Sequence, residues 1–386
     1  MTQPETKGRF NISKRTTAIF LFFLLLTPCL SAKDSLAVKI RSRALLDATL
    51  SGYGKQSVQG YYKLEDFRIG FKAFYGKYEV KADIGYSSGK WAFKDLLFNF
   101  HFPHSVLSIG NGYEAYSMDM LTSTSDMRFH QSASSVLAFT DSRKLGVTYH
   151  YYQKQLYAST GLYTYNDINK IGKNQKNAFI STSRLVLRPR MEKERIWHIG
   201  GAFTFRSKEI NKEAETEKAI KSDGVTSLFG TPLMEATLKN PGAEYRGILE
   251  LLVTGPRYMV QGEYFLNTYR LDNRQEAYRP HGGYLQGSYL IIGRGFQYDP
   301  VYAIPGRPSS DRALEITARY NYTNLNDTKA GIDGGRENDL SIGANFYLNK
   351  YIGIKLSGSY VFATMNCNAF YSKNMLIGQV RLQYVF

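Results

Sequence analysis

The chain has 386 residues, a formal net charge of +16 and only two cysteines, Cys29 and Cys367. So few cysteines exclude a disulfide-dense secreted fold, and no apolar run after residue 32 approaches the ~20 residues that a membrane-spanning helix needs. The 30 Tyr and 23 Phe are typical of the aromatic girdles of an outer-membrane barrel.

The first 32 residues have the three parts of a secretory signal peptide. The basic part consists of Lys7, Arg9, Lys14 and Arg15. Ala18–Leu26 is apolar throughout but too short for a membrane anchor, and Leu30-Ser31-Ala32 offers a small residue for cleavage. We therefore divide the chain into a signal peptide, residues 1–32, and a mature domain, residues 33–386, whose net charge is +13.

The mature domain alternates between polar and apolar residues in many short segments, and this period of two predicts β-strands. In the first half, the predicted strands are Leu36–Ala48, Phe67–Tyr75, Tyr78–Tyr86, Leu96–Phe100, Val106–Gly110, Leu145–Tyr151, Leu156–Tyr165, 178–188 and 195–206. In the second half, they are Gly247–Thr254, Tyr258–Thr268, Gly283–Ile292, Leu314–Tyr320, Leu340–Leu348, Ile352–Leu356 and Met375–Phe386.

The last predicted strand, Met375–Phe386, alternates up to the final residue. Its apolar face holds Leu376, Val380, Leu382, Tyr384 and Phe386, and its polar face holds Gln379, Arg381 and Gln383. Such a strand fits a barrel that separates lipid from a wet lumen, and it also fits a soluble sandwich with one buried face.

The connections favour the barrel. Short turns such as Gly76-Lys77 and Gly255-Pro256 alternate with long loops, of which 111–142 and 207–242 are the longest, as in outer-membrane barrels. The irregular stretch 293–311 falls where a short turn is expected, so fourteen or eighteen strands remain alternatives. The prediction is an all-β fold, a transmembrane antiparallel barrel of about sixteen strands with long external loops.

Several segments, in the same order along the chain, resemble the phosphate-selective porin O and P family. They are LSIGNGYEAYSMDMLTSTSDMRF at 107–129, the run from GGYLQGSYLIIGRGFQYD to RALEITARYNYTNLND at 282–327, GRENDLSIGANFYLNKYIGIKLSGSYV at 335–361, and the final RLQYVF. The resemblance is diffuse but spans nearly the whole mature domain. It implies a sixteen-stranded barrel, usually a homotrimer, that acts as a passive anion channel with one loop, here 111–142, folded into the pore.

The resemblance also implies a partial site. Arg43 and Arg68 match arginines that the family points into the pore, and Asp95 matches the acidic residue that helps to shape the constriction. The lysine that phosphate-selective members supply from the inward loop falls at about Met120, and an acidic–arginine pair at the end of that loop falls at about His130-Gln131. Phosphate therefore stays one candidate among small anions.

Strand alternation predicts which charges face the lumen. The candidates for pore lining and anion selectivity are Arg43, Arg68, Lys72, Asp95, Arg319, Lys355 and Arg381, and those for the constriction loop are Glu114, Asp119, Met120 and Arg128. Lys39 and Arg41 also face inward, as do the acidic Glu79, Asp83 and Glu315. An excess of cations along a narrow lumen favours anions. Alternatively, these charges only solvate the lumen or pair with carboxylates.

Other functions have weaker support. His130, Ser132 and Asp126 lie close together in one loop, but an enzyme barrel needs a nucleophile, a base and an orienter within bonding distance. A general or oligosaccharide porin is a further alternative, which an aromatic track in the lumen would favour. Nucleic acid is disfavoured because the basic residues alternate with apolar ones along strands.

A metal site also has little support, because the spacing around the GIDGG turn is not that of a tight calcium loop. We therefore expect a trimeric outer-membrane porin of a Gram-negative cell, exported by a cleaved signal peptide and in contact with membrane lipid. Small anionic solutes would diffuse through it, without a cofactor, a metal or catalysis.

Overall fold

In a computed structural model, the protein forms one closed antiparallel β-barrel. The structure describes residues 35–52, 59–87, 89–171, 177–209, 217–227, 230–272, 276–364 and 374–386. The predicted signal peptide and Cys367 lie outside these residues. Within them, no helix is long and apolar enough to span a membrane.

Sixteen strands form the wall of the barrel, and two further hairpins lie apart from it. In hydrogen-bonded order the wall strands are β1 (Ala37–Gly52), β2 (Gln59–Tyr75), β3 (Tyr78–Ser87), β4 (Lys90–Phe102), β5 (Ser105–Gly112), β6 (Lys144–Tyr152), β7 (Leu156–Thr164), β8 (Phe179–Met191), β9 (Ile196–Arg206), β12 (Pro241–Thr254), β13 (Tyr258–Leu271), β14 (His281–Ile292), β17 (Ala313–Asp327), β18 (Ile332–Tyr347), β19 (Ile352–Thr364) and β20 (Asn374–Val385). The hairpins are β10 (Glu217–Ser222) with β11 (Met234–Lys239), and β15 (Phe296–Asp299) with β16 (Ile304–Pro308). The predicted sixteen-stranded barrel is confirmed.

The last strand closes the barrel against the first, from the pair Arg43 and Val385 to the pair Gly52 and Leu376. Leu376 is 63% exposed on the outer face, whereas Arg381 is fully buried inside. Apolar residues thus cover the outside and polar residues the inside. This is the reverse of a soluble fold and confirms the membrane barrel.

The connections define two ends of the barrel. At the short-turn end, the turns include residues 76–77, 103–104, 153–155, 192–195, 255–257 and 348–351. The irregular stretch 293–312 also lies at this end and contains the hairpin β15–β16. Arg184 donates to the carbonyl of Tyr302 at 2.9 Å and Arg188 to that of Pro300 at 2.8 Å, which places this connection inside the barrel. The strand count is therefore sixteen, because 293–312 connects two wall strands through the lumen.

The loop between β5 and β6, residues 113–143, enters the lumen from the opposite, long-loop end; we call it the inward loop. It contains the short helices α1 (Met118–Leu121) and α2 (Ser134–Phe139). Glu263 on β13 accepts the backbone N–H of Met118 at 2.6 Å, and Asn321 on β17 accepts that of Ser135 at 3.1 Å. The predicted inward fold of this loop is confirmed.

The hairpin β10–β11 packs on the inward loop. The Ser134 and Ser222 hydroxyls lie 2.8 Å apart, and Gln131 donates to the carbonyl of Gly224 at 2.7 Å. Two segments from the long-loop end and one from the short-turn end therefore occupy the lumen. They fill the side of the barrel that runs from β8 to β20 and leave a cavity along β1 to β7.

Candidate pore and its constriction

A cavity of about 1040 Å³ lies between the inward loop, the connection that contains β15 and β16, and the inner faces of β1 to β7. Its walls include Arg43, Arg68, Lys72 and Asp95 from the strands and Met120 from the loop. These are five of the residues that the sequence placed at the pore. The cavity is mainly polar along the strands, and its volume suits a small solute with some of its water.

Two arginines share a single carboxylate at the wall of the cavity. Arg43 Nε donates to Asp66 Oδ2 at 2.8 Å, and Arg68 Nη2 donates to the same oxygen at 3.1 Å. Arg43 also donates to the hydroxyl of Ser123 on the inward loop at 2.6 Å. Arg68 Nε is buried and has no hydrogen-bond partner among the described residues. One positive charge is therefore left without a neutralising acid here.

A second carboxylate lies between two more cations. Asp95 forms ion pairs with Lys81 and with Arg143, whose Nε is 2.5 Å from Asp95 Oδ1. Arg143 also donates to the hydroxyl of Tyr113 at 3.0 Å, and its guanidinium lies 4.2 Å from the centre of that ring. Asp95 therefore lies in the wall of the cavity with two cations beside its single negative charge.

We call these residues the constriction cluster. It comprises Arg43, Arg68, Lys81, Lys94, Arg143, Asp66 and Asp95, and Lys94 belongs to it because its charge interacts with those of Arg43, Arg68 and Arg143. Five cations face two carboxylates, so the cluster carries a local net charge of about +3. On the neighbouring strands, two ion pairs balance their own charges: Arg41 pairs with Asp83 at 2.5 Å, and Lys72 pairs with Glu79 at 3.2 Å.

Three of the predicted pore-lining cations do not reach the cavity. Arg319, Lys355 and Arg381 face the barrel interior as predicted, but the inward loop covers them. Arg319 donates to the carbonyl of Gln131 at 3.0 Å, Lys355 to that of Ser125 at 3.2 Å, and Arg381 to that of His130 at 2.6 Å. The geometry therefore corrects their placement at the open lumen: they hold the backbone of the loop.

Of the four predicted loop residues, only Met120 reaches the cavity. Glu114 pairs with Arg206 at 2.7 Å, and Arg128 pairs with Glu315 at 3.2 Å. Asp119 is buried, and burial raises the pKa of its carboxyl. These three side chains point away from the solute path because the loop uses its charges to pack against the wall.

A single buried arginine forms ion pairs with both ends of the inward loop. Arg206 on β9 pairs with Glu114 near the start of the loop and with Asp141 near its end. Arg246 on β12 adds a second ion pair to Asp141 at 3.2 Å. These cations hold the pKa of the Asp141 carboxyl well below its ordinary value although burial opposes this shift. The base of the loop is therefore fixed electrostatically.

The three loop residues that an enzyme could use, His130, Ser132 and Asp126, do not bond to one another in the described structure. His130 bonds through Nδ1 to Ser357 Oγ at 3.1 Å, whereas Ser132 Oγ lies 3.9 Å from the sulfur of Met127. Burial and then the charges of Arg381, Lys355 and Arg319 lower the pKa of His130 to about 2. Among the described residues, no group of three or more His, Cys, Asp or Glu side chains could hold a metal ion.

Sequence reasoning missed Asp66, Lys94 and Arg143, and it left Lys81 out of the site. Asp66 and Lys81 lie at inward positions of β2 and β3, so their alternation with apolar neighbours could have identified them. Lys94 lies at a register shift between β3 and β4. Arg143 lies at the end of a loop, where no periodic pattern exists to predict its direction.

Comparisons with known proteins agree with this architecture. A sequence model of the family "phosphate-selective porin O and P" matches residues 34–386. A search of curated protein sequences finds no match.

Solved outer-membrane channels share the fold at low sequence identity. OmpT of Vibrio cholerae is 10% identical with a TM-score of 0.59, over 92% of this chain and 100% of that one. The anion-selective porin of Comamonas acidovorans is 9% identical with a TM-score of 0.58, over 91% and 100%. The channel DcaP of Acinetobacter baumannii is 10% identical with a TM-score of 0.54, over 92% and 99%. Together with the closed barrel and its polar passage, the match over nearly the whole chain shows that this protein belongs to the phosphate-selective porin O and P family and is an outer-membrane porin.

Proposed function

We propose that this porin prefers small anions, and that the constriction cluster sets the preference. The local net charge of about +3 supports this proposal, because fixed cations in a narrow, partly dehydrated passage raise the local concentration of anions. The remaining lining holds three cations and six carboxylates and is therefore acidic, so the preference should be moderate and depend on the cluster itself. Arg68, with its buried and unpartnered Nε, is the residue on which the proposal depends most.

The test is the reversal potential of single channels in a planar bilayer under a potassium chloride gradient. Arg68→Gln is expected to lower the ratio of chloride to potassium permeability by about twofold to threefold, because one unit charge at ~8 Å in water, screened over about one Debye length, changes the energies of the two ions by roughly 0.2 to 0.3 kcal/mol in opposite directions. Lys329→Gln removes an equal charge from an exposed turn at the long-loop end and serves as the matched control. Equal ratios in Arg68→Gln and the unmodified channel would refute the proposal.

Phosphate is a narrower proposal within this one. Arginine forks can bond two oxygens of a phosphate, and Arg43 and Arg68 lie side by side on β1 and β2. However, Met120 contributes no charge from the loop side. Phosphate added to the chloride solution should therefore reduce the current only weakly. Strong block at low phosphate would instead identify a phosphate-selective channel.

We also propose that the mature chain begins at Lys33 and assembles as a homotrimer. The sequence pattern of residues 1–32 supports the first point. The family resemblance supports the second, and a trimer form of Vibrio cholerae OmpT is among the similar structures. N-terminal sequencing of protein from outer membranes and the mass of the purified channel in detergent test these two points separately.

A further inference from the structure

The rim at the short-turn end is strongly basic. Its exposed segments are residues 76–77, 103–104, 153–155, 190–195, 255–257, 293–295, 309–312 and 348–351, which hold nine Lys and Arg against three Asp and Glu. Two of the three acids are already paired, Glu192 with Arg190 and Glu194 with Arg294. The rim therefore carries a net charge of +6, and none of its charged residues lines the cavity.

The excess charge is distributed around the barrel. We call the following six residues, one from each of six connections, the basic collar: Lys77, Lys154, Lys193, Arg257, Arg312 and Lys350. All six are exposed, and none forms an ion pair with a carboxylate of the described part of the chain. A ring of unpaired cations facing outward is poorly explained by stability, because exposed charges of one sign repel each other.

Aromatic side chains lie directly beside the collar on the outer face. Tyr258 follows Arg257 and is 47% exposed, and Tyr351 follows Lys350 and is 37% exposed. Trp197, on β9, is 47% exposed and lies four residues after Lys193, which belongs to the connection before that strand. Lys350 Nζ lies 4.8 Å from the centre of the Tyr351 ring. Because exposed Tyr and Trp rings of a membrane protein lie at the level of the lipid headgroups, the collar lies at that level too.

We infer that the basic collar binds the anionic phospholipid headgroups of the leaflet at the short-turn end. Lys and Arg at this depth lie within a Debye length of the headgroup phosphates. Each such cation raises the association constant for anionic lipid by about fivefold. Lipid is the partner that the geometry favours, because three of the six collar residues, Lys193, Arg257 and Lys350, lie in or beside connections that carry lipid-facing rings. This inference does not depend on the ion preference of the pore.

The two tryptophans of the chain provide the test. Trp197 lies at the collar, and Trp91, 59% exposed, lies at the start of β4 at the opposite end. The Trp91→Phe protein, which reports only from the collar, is reconstituted in phosphatidylcholine vesicles with a minor fraction of brominated phosphatidylglycerol. Brominated phosphatidylglycerol should quench the fluorescence of Trp197 more strongly than the same fraction of brominated phosphatidylcholine does. The excess should vanish in about 1 M salt, where the Debye length is ~3 Å.

Collar variants locate the effect. Lys193→Gln and Arg257→Gln, combined in the Trp91→Phe protein, should remove most of the excess quenching. Lys90→Gln with Lys170→Gln, two exposed cations at the other end, should leave it unchanged. The Trp197→Phe protein should show no collar-dependent change. Circular dichroism and heat-modifiable gel migration confirm that each variant forms the barrel.

Two results would overturn the inference. One is equal quenching of Trp197 by the two brominated lipids at low salt. The other is salt-sensitive binding of purified peptidoglycan that the collar variant loses, without any excess quenching by phosphatidylglycerol; this would assign the collar to an anionic polymer instead of lipid.

Discussion

Asp47 on the first strand and Arg381 on the last form a two-point ion pair across the seam of the barrel, with Arg381 Nε and Nη2 each 2.6 Å from a carboxylate oxygen. Both side chains are buried. The same guanidinium donates to the carbonyl of His130. One arginine therefore joins the closure of the barrel to the position of the inward loop.

Arg381→Met should destabilise the barrel by about 3–5 kcal/mol, because it leaves the buried Asp47 carboxylate without a partner. The double variant Asp47→Leu with Arg381→Met should recover much of this loss, since neither charge then remains. Urea unfolding of protein refolded in vesicles measures both. If the double variant were as unstable as Arg381→Met, the unpaired Asp47 carboxylate would not be the cause of the destabilisation.

Asp95→Asn should increase the anion preference. The substitution keeps the side-chain volume but removes a negative charge from between Lys81 and Arg143, so the constriction cluster gains one net positive charge. The chloride to potassium permeability ratio should rise about twofold to threefold, and Arg143→Gln should lower it. Asp311→Asn, on an exposed turn, is the control and should leave the ratio unchanged. A fall in the ratio for Asp95→Asn would contradict the charge assignment.

Met120→Lys should strengthen the interaction with phosphate. The side chain would bring an ammonium group to the loop side of the cavity, opposite the arginines of β1 and β2. Phosphate should then reduce the chloride current at lower concentration than in the unmodified channel. Met120→Leu keeps the side chain apolar and should behave like the unmodified protein. An unchanged response in Met120→Lys would place residue 120 outside the solute path.

His130 should make the barrel sensitive to acid. Its pKa is lowered from the ordinary value of 6.5 to about 2, so below pH 6.5 the unfolded chain binds a proton that the folded chain does not. The unfolded state is then favoured by roughly 1.4 kcal/mol per pH unit as the pH falls.

From about pH 7 to about pH 5, the unmodified protein should thus lose about 2 kcal/mol more stability than His130→Gln. Urea unfolding at the two pH values measures the difference. His104→Gln, on an exposed turn, should retain the unmodified response. Identical acid sensitivity in His130→Gln and the unmodified protein would show that His130 is not the group that couples to pH.

The wall of the barrel could be predicted from the sequence because each wall strand has one face in lipid and one in the lumen. That environment forces a period of two, which Leu376 and Arg381 still show on the last strand. The hairpins β10–β11 and β15–β16 lie within or above a filled lumen, where neither face meets lipid. The hairpin β15–β16 carries no comparable alternation. β11 does alternate, with Met234, Ala236 and Leu238 buried, but its six residues are too short a run to stand out within a long polar connection.

The site was predictable only in part for a related reason. Alternation shows that Arg68 and Arg319 both face inward, and it cannot show which inward face remains open. That depends on where the inward loop lies, and its position is set by contacts with strands more than a hundred residues away, such as Ser135 with Asn321. Arg68 therefore lies at the cavity, whereas Arg319 lies beneath the loop.

The anchoring of the inward loop implies an order of events during biogenesis. Arg381 lies 251 residues after the carbonyl of His130 that it holds, and Lys355 on β19 holds the carbonyls of Ser125 and Met127. The tip of the loop therefore lacks these anchors until the C-terminal strands have been synthesised and paired. The last contacts that fix the tip of the loop therefore form together with the contact between the final strand and the first, so closure of the barrel and the final shape of the pore are coupled.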